Sequence, residues 1–442
     1  MKQICVVLAV AAACVAGLWS RAEAQVYESS VLSGQGQIVR RASVKEELVY
    51  MKGTNGMGYF VLVENGGMAW FELLKGMDVK DFEMDGNKVY FCGSMGSHAL
   101  VGLFDYDKVF RQGGAYEYVL CNSSTTNENY YVKVGEFSRL DYFYDNGTLN
   151  LALIGSGVID QFLFLNRTIV TSVNISGSTW NFHYYYNKDG LIRYTDIACL
   201  DNVVVAVGTD SNGYHCMAKA FVQQQNFPLY FLGGTTAQRI DFIGDGKEPL
   251  ITRVGVDMAV VTHYIDHHIT TVAHRLAFNS VTGDATPYEQ SLFYTYVSTL
   301  PMNYFQMYDL RNDHIGQYVY VMEYSDMGTA TMTNNVLEIP ISGSPTSLPV
   351  IEAPVGRQVS FDCNRTISPR FALAGYGTGG ALSVYYNMLP TWQCMPVTQM
   401  TVRYGTPTIE SVMSNPEAPG TYYKPNPVKP TIYKNDMTDI CH

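Results

Sequence analysis

Long helical patterns are what this 442-residue chain has least of, which sets helical bundles aside. Charge is scarce as well: charged residues make up 16%, and 29 Lys and Arg are outnumbered by 40 Asp and Glu. A formal charge of −11 repels phosphate backbones and argues against nucleic acid as a partner. There is no C-x-x-C pair, so zinc-ribbon and dithiol chemistry have no footing. G-x-S-x-G is absent too, and with it any support for serine hydrolysis. Beyond residue 24 nothing reads as a membrane span.

What is present begins with MKQICVVLAVAAACVAGLWSRAEAQ. Lys2, an apolar run from Ile4 to Trp19 and the small-x-small triplet Ala22-Glu23-Ala24 read as a secretory signal over residues 1–24, so the mature protein is expected to be exported. A lipid anchor at Cys14 is disfavoured, because the residues after it stay apolar. Seven cysteines then remain, an odd number; export permits disulfides, and neighbours such as Cys363 and Cys394 are a plausible pair. The 33 tyrosines are mainly strand residues, with some available as aromatic platforms for sugars or proteins.

Stacking MDGNKVYFCGSMGSHALVGLFDYD, CLDNVVVAVGTDSNGYHCMAKAF and VGVDMAVVTHYIDHHITTVAHRLAF exposes a repeat. Each has an aspartate, an apolar strand, a polar tip and a second apolar strand. The aspartates are Asp85, Asp145, Asp201, Asp257 and Asp313; the first step is 60 residues and the next three are 56. A further step lands on Pro369, before a sixth copy that lacks the aspartate. Each copy has room for four short strands, so the expected fold is an all-β propeller of six or seven four-stranded blades over residues 25–405. Strand-like pieces within 26–75 and after the last copy are expected to complete each other's blade or make a further one. Residues 406–442 form a Pro-rich tail, a strap or linker rather than a blade, since proline removes ladder donors.

The order aspartate, V-Y-F-x-G or V-x-x-x-G, polar tip, then A-K-x-F or G-x-F-D resembles the repeat of secreted bacterial β-propeller proteins, such as the exported propellers of gut Bacteroidetes. The resemblance covers about residues 80–390. Cys92-Gly93 and Val207-Gly208 keep the motif glycine, while His263 replaces it. It implies that the aspartate sits in the turn between the innermost and second strands, and that the tips share one face. It carries fold and not chemistry.

The tips carry the candidate ligand-binding residues: His98, Asp210, Asp266, His267, His268 and Asp326. His263, His267, His268 and His274 beside Asp266 invite a metal reading, but adjacent histidines on an extended backbone point to opposite sides. An ordinary polar tip is the favoured reading, with no metal and no cofactor expected. FIGDGKEP has too few alternating oxygen ligands for a calcium loop, and SVNISGSTW is one imperfect copy of a sialidase-type turn. A sialidase would also need Arg239, Arg253 and Arg275 to converge. The reading is an exported module that binds a glycan, peptide or protein at the cell envelope, more a binder than an enzyme. The alternatives are a carbohydrate-active hydrolase or lyase on the same scaffold, and a structural component of a surface assembly.

Overall fold

The structure is a computed structural model. It describes residues 25–64, 66–121, 124–125, 131–159, 165–186, 192–209, 215–222, 229–230, 237–240, 247–255, 258–265, 270–278, 285–287, 293–295, 304–326, 332–341, 347–353, 357–363, 371–376, 381–387, 393–396, 409–410 and 421–439. The signal segment 1–24 lies outside the described residues.

The described residues form an all-β propeller whose unit is an antiparallel meander of four strands. They make six hydrogen-bonded sheets. Five sheets hold one meander each, beginning at Met77, Tyr131, Arg193, Lys247 and Tyr304; the sixth, of nine strands, holds two. The two share the strand Gln25–Arg41. Its first half pairs with Ala381–Asn387 as an outermost strand, and its second half, from Gly34, pairs with Glu46–Gly53 as an innermost one. The N-terminal segment thus completes the meander nearest the C-terminus and starts the first, closing the ring with main-chain hydrogen bonds and leaving no open edge there. The innermost strands contact one another in a closed cycle round a central channel.

Local sequence explains the strands. In Glu46–Gly53, Leu48 and Tyr50 enter the core shared with the Met77 meander, whereas Val49 and Met51 enter the core shared with Phe371–Asn387. Val204 and Ala206 likewise face one neighbour, and Val203, Val205 and Val207 the other. Side chains alternate along a strand, so a run apolar at every position is buried on both faces, as a sheet sandwiched between two others requires. The cores therefore lie between blades. Turn chemistry matches: Asn146 and Gly147 adopt φ of 48° and 76°, the left-handed pair of a tight type I′ hairpin.

The repeat aspartates fall where the resemblance implies. Asp85 and Asp145 end innermost strands, and Asp201 and Asp313 lie between innermost and second strands; Asp257 lies outside the described residues. The motif glycine also finds a cause. Every innermost strand bulges against the second, for example between Val79 and Asp81 and between Tyr194 and Asp196. Gly93 and Gly208 face those bulges, where a Cβ would collide with the carbonyl oxygens of Asp78 and Arg193.

Residues 421–439 of the tail run along the outer edges of the blades. Thr421–Tyr423 pairs with Thr179–Tyr186, Asn426–Val428 with Tyr116–Cys121, Tyr433–Asp436 with Gly67–Glu72, and Thr438–Asp439 with the first half of Gln25–Arg41. Each piece adds a strand to a blade's outer edge. Pro425, Pro427 and Pro430, with exposed Lys424, Lys429 and Lys434, occupy the new edge, where missing donors and charge discourage further strands from pairing.

The expectation of disulfides is corrected among the described residues. Cys92, Cys121, Cys199 and Cys363 are buried reduced thiols, so Cys363 is not bridged to Cys394. Cys92 and Cys121 share a core but lie opposite Val101 and Ala99 respectively, so they pack there as small apolar groups.

Candidate functional site

Innermost strands in six-fold or seven-fold rings have one side facing a channel, and here that side carries charge. Arg40, Arg41, Arg139, Arg253 and Arg311 all border a channel cavity of about 110 Å³. The carboxylates facing them bind blade to blade. Asp81 Oδ2 accepts the Leu140 N–H at 3.1 Å, Asp141 Oδ2 that of Cys199 at 2.6 Å, and Asp196 Oδ2 that of Ile251 at 2.9 Å. Asp362 Oδ2 accepts the Arg41 N–H at 2.7 Å across the ring closure. In each case a carboxylate on one innermost strand caps a main-chain donor on the next; Asp81 and Asp196 directly follow a bulge, which there re-aims the strand at its latch.

Ion pairs cross the channel as well. Arg40 Nη2 lies 3.2 Å from Asp81 Oδ1 and 3.0 Å from Glu83 Oε1, and Arg311 Nη1 reaches the same Glu83 oxygen at 2.5 Å. Burial shifts the acids. It pushes Glu83 well above the usual carboxylate range, with Arg40 pulling the other way, and it pushes Asp196 up to about 7 and Asp141 upward. The Arg253 guanidinium sits 5.9 Å from the centre of the Tyr142 ring.

The cavity occupies the half of the channel near the Asp85-type turns, since its lining comes from the later residues of each innermost strand, Asp81, Glu83 and Met84 in Met77–Asp85 and Arg139 to Tyr142 in Tyr131–Asp145. In an antiparallel meander the hairpin between second and third strands lies at the opposite face. That is where His98 stands, half-buried at the start of His98–Asp105 and paired across its hairpin with Met95; its Nδ1 is buried without a hydrogen bond. The backbone of Asp326 ends Tyr318–Asp326 on that same face. Asp210, Asp266, His267 and His268 lie outside the described residues, as does most of the glycine turn in FIGDGKEP. Among the described residues no group of three or more His, Cys, Asp or Glu is placed to hold a metal.

Of the three arginines considered for a carboxylate substrate, Arg253 alone is on an innermost strand. Arg239 is on an outer strand of its meander and Arg275 on a third strand, so the three do not share the channel. Sequence reasoning missed the channel charges, although a signal existed. A charged residue interrupts an otherwise apolar strand two to five positions before the repeat aspartate, as Asp81, Asp141, Asp196, Arg253 and Arg311 do.

A larger crevice, about 500 Å³, opens at the outer rim between Gly67–Glu72, the short helix Tyr106–Gln112 and the tail. Leu62, Met68 and Phe110 floor it, and Glu64, Arg111 and Lys434 stand at its edge.

No known family and no curated protein matches the sequence. Solved structures are similar at the level of fold. A post-proline cleaving enzyme from Rickettsia typhi aligns at 8% identity and a TM-score of 0.38, over 84% of this chain and 54% of that one. This chain thus spans about half the length of that enzyme. The extracellular domains 1-2 of Drosophila Semaphorin 1a align at 8% identity and 0.36, over 82% and 88%. The β-propeller domain of Nup133 from Vanderwaltozyma polyspora aligns at 10% and 0.26, over 73% and 99%.

Proposed function

We propose that this chain is an exported binding module, a ring of seven blades closed outside by its 406–442 strap, that holds a glycan, peptide or protein at the cell envelope without turning it over. Five single-meander sheets, two meanders on the nine-stranded sheet and the closed cycle of innermost strands support the blade number. The observation that carries the function is the commitment of the channel acids. Asp81, Asp141, Asp196 and Asp362 each hold a neighbouring blade's N–H, and a cavity of about 110 Å³ is well below the roughly 300–1,000 Å³ of a site for a drug-sized ligand. Recognition then falls to the tips and the rim.

A hydrolase or lyase is the second reading, and the raised carboxyls of Glu83 and Asp196 favour it, because acid and base catalysis uses such groups. One experiment separates the two. The chain from residue 25 onward is incubated with polysaccharides, host glycans and surface proteins, and retention and released product are scored together. Retention without product is the expected result; product that disappears in Glu83→Gln would replace the binder with the enzyme.

A further inference from the structure

Arg253 differs from the other channel arginines. Arg40 and Arg311 are held by Glu83, Arg41 by Glu47, and Arg139 Nε stands 3.7 Å from Asp196 Oδ1. Among the described residues no carboxylate lies within 4.0 Å of Arg253. Its electrostatic partner Asp141 is engaged elsewhere, Oδ1 accepting the N–H of Tyr142 and Oδ2 that of Cys199. A half-buried guanidinium with a ring beneath it and no ion pair borders the cavity, together with Tyr142, Asn312 and His314.

The charge of this wall follows from its chemistry. Guanidinium groups stay protonated at any physiological pH, and of the five that border the cavity Arg253 is the one with no carboxylate within salt-bridge reach among the described residues, so its charge is the one left for a ligand. A cavity of about 110 Å³ has room for one small anion together with a few waters. Guanidinium donors form a planar fork that matches a carboxylate on two bonds, and the adjoining aromatic face suits a short apolar substituent.

We propose that the channel cavity is a binding site for the carboxylate of a small organic acid, about the size of acetate, held by Arg253 beside Tyr142. A larger acid has to leave its body outside the mouth. This site is independent of the tip and rim surfaces assigned above to the main partner.

The test is an NMR titration of the whole exported chain with ¹³C-labelled acetate, with acetamide as the neutral isostere and glucuronate as a sugar acid. Saturable acetate binding that shifts the His314 ring resonances is expected, with acetamide silent and glucuronate weaker than acetate. Arg253→Gln is expected to weaken acetate at least about tenfold, the worth of one charge-assisted hydrogen bond, while Arg111→Gln at the rim leaves it unchanged. Glucuronate binding tighter than acetate would overturn the size assignment in favour of a sugar acid. Acetate binding unaltered by Arg253→Gln, or absent from the native chain at tens of millimolar, would overturn the site. If Arg253→Gln does not fold, the acetate and acetamide arms and the His314 shift on the native chain still decide.

Discussion

At the channel wall, Glu83 is gripped by Arg40 and Arg311 and blades are joined by carboxylates capping main-chain donors; at the outer rim, Tyr433 stacks on Trp70 at 5.7 Å and blades are finished by one extra strand. Both regions satisfy edges that an isolated blade would leave open. They differ in what removal of one partner leaves behind. A buried charge without its counter-ion retains the whole cost of its desolvation, whereas a rim side chain removed from a strand leaves backbone hydrogen bonds in place. Wall and rim should therefore respond very differently to single substitutions.

The hardest break is Glu83→Ala, which takes a shared buried acceptor from Arg311 and from Arg40, 4% exposed, and leaves Asp81 facing the Arg40 charge. A loss of about 3–5 kcal/mol is expected by denaturant titration, and a loss below about 1 kcal/mol would mean that the wall carries no more weight than the surface. Asp196 gives the next effect through pH. Its folded pKa of about 7 lies above the ordinary 3.8, so the folded state binds the proton more tightly. The associated stability is full below about pH 4 and is lost as pH rises through about 7, an effect on the order of a few kcal/mol. Asp196→Asn should flatten that slope; an unchanged pH profile would remove Asp196 from the account. The smallest effect belongs to the rim, where Tyr433→Ala is expected to cost about 1 kcal/mol through the lost Trp70 stack, measured as a small shift in denaturation midpoint. A cost equal to that of Glu83→Ala would erase the distinction between the two regions.

Much of this fold was legible along the chain, and the reason is local. The alternation that sends Leu48 and Val49 to opposite cores is a property of one strand, and the Asn146-Gly147 hairpin depends on two residues. The motif glycine was visible as a pattern, but its cause was not. Only the bulge at Lys80 shows that Gly93 has to lack a side chain because the Asp78 carbonyl occupies its place. The histidines between 263 and 274 drew attention because they cluster in sequence. The channel charges do not cluster there: residues 40, 83, 253 and 311 are far apart in the chain and adjacent only when the ring closes.

The sequence by itself determined the repeated strand-turn-strand unit, since side-chain alternation and turn conformations act over a few residues. The closure of Gln25–Arg41 onto Ala381–Asn387, the seating of the tail against blade edges and the pairing of Glu83 with Arg311 were decided only by tertiary structure. Each joins residues separated by more than two hundred positions or by an unmatched edge, and no local preference encodes which distant partner a main-chain donor or a buried charge will meet.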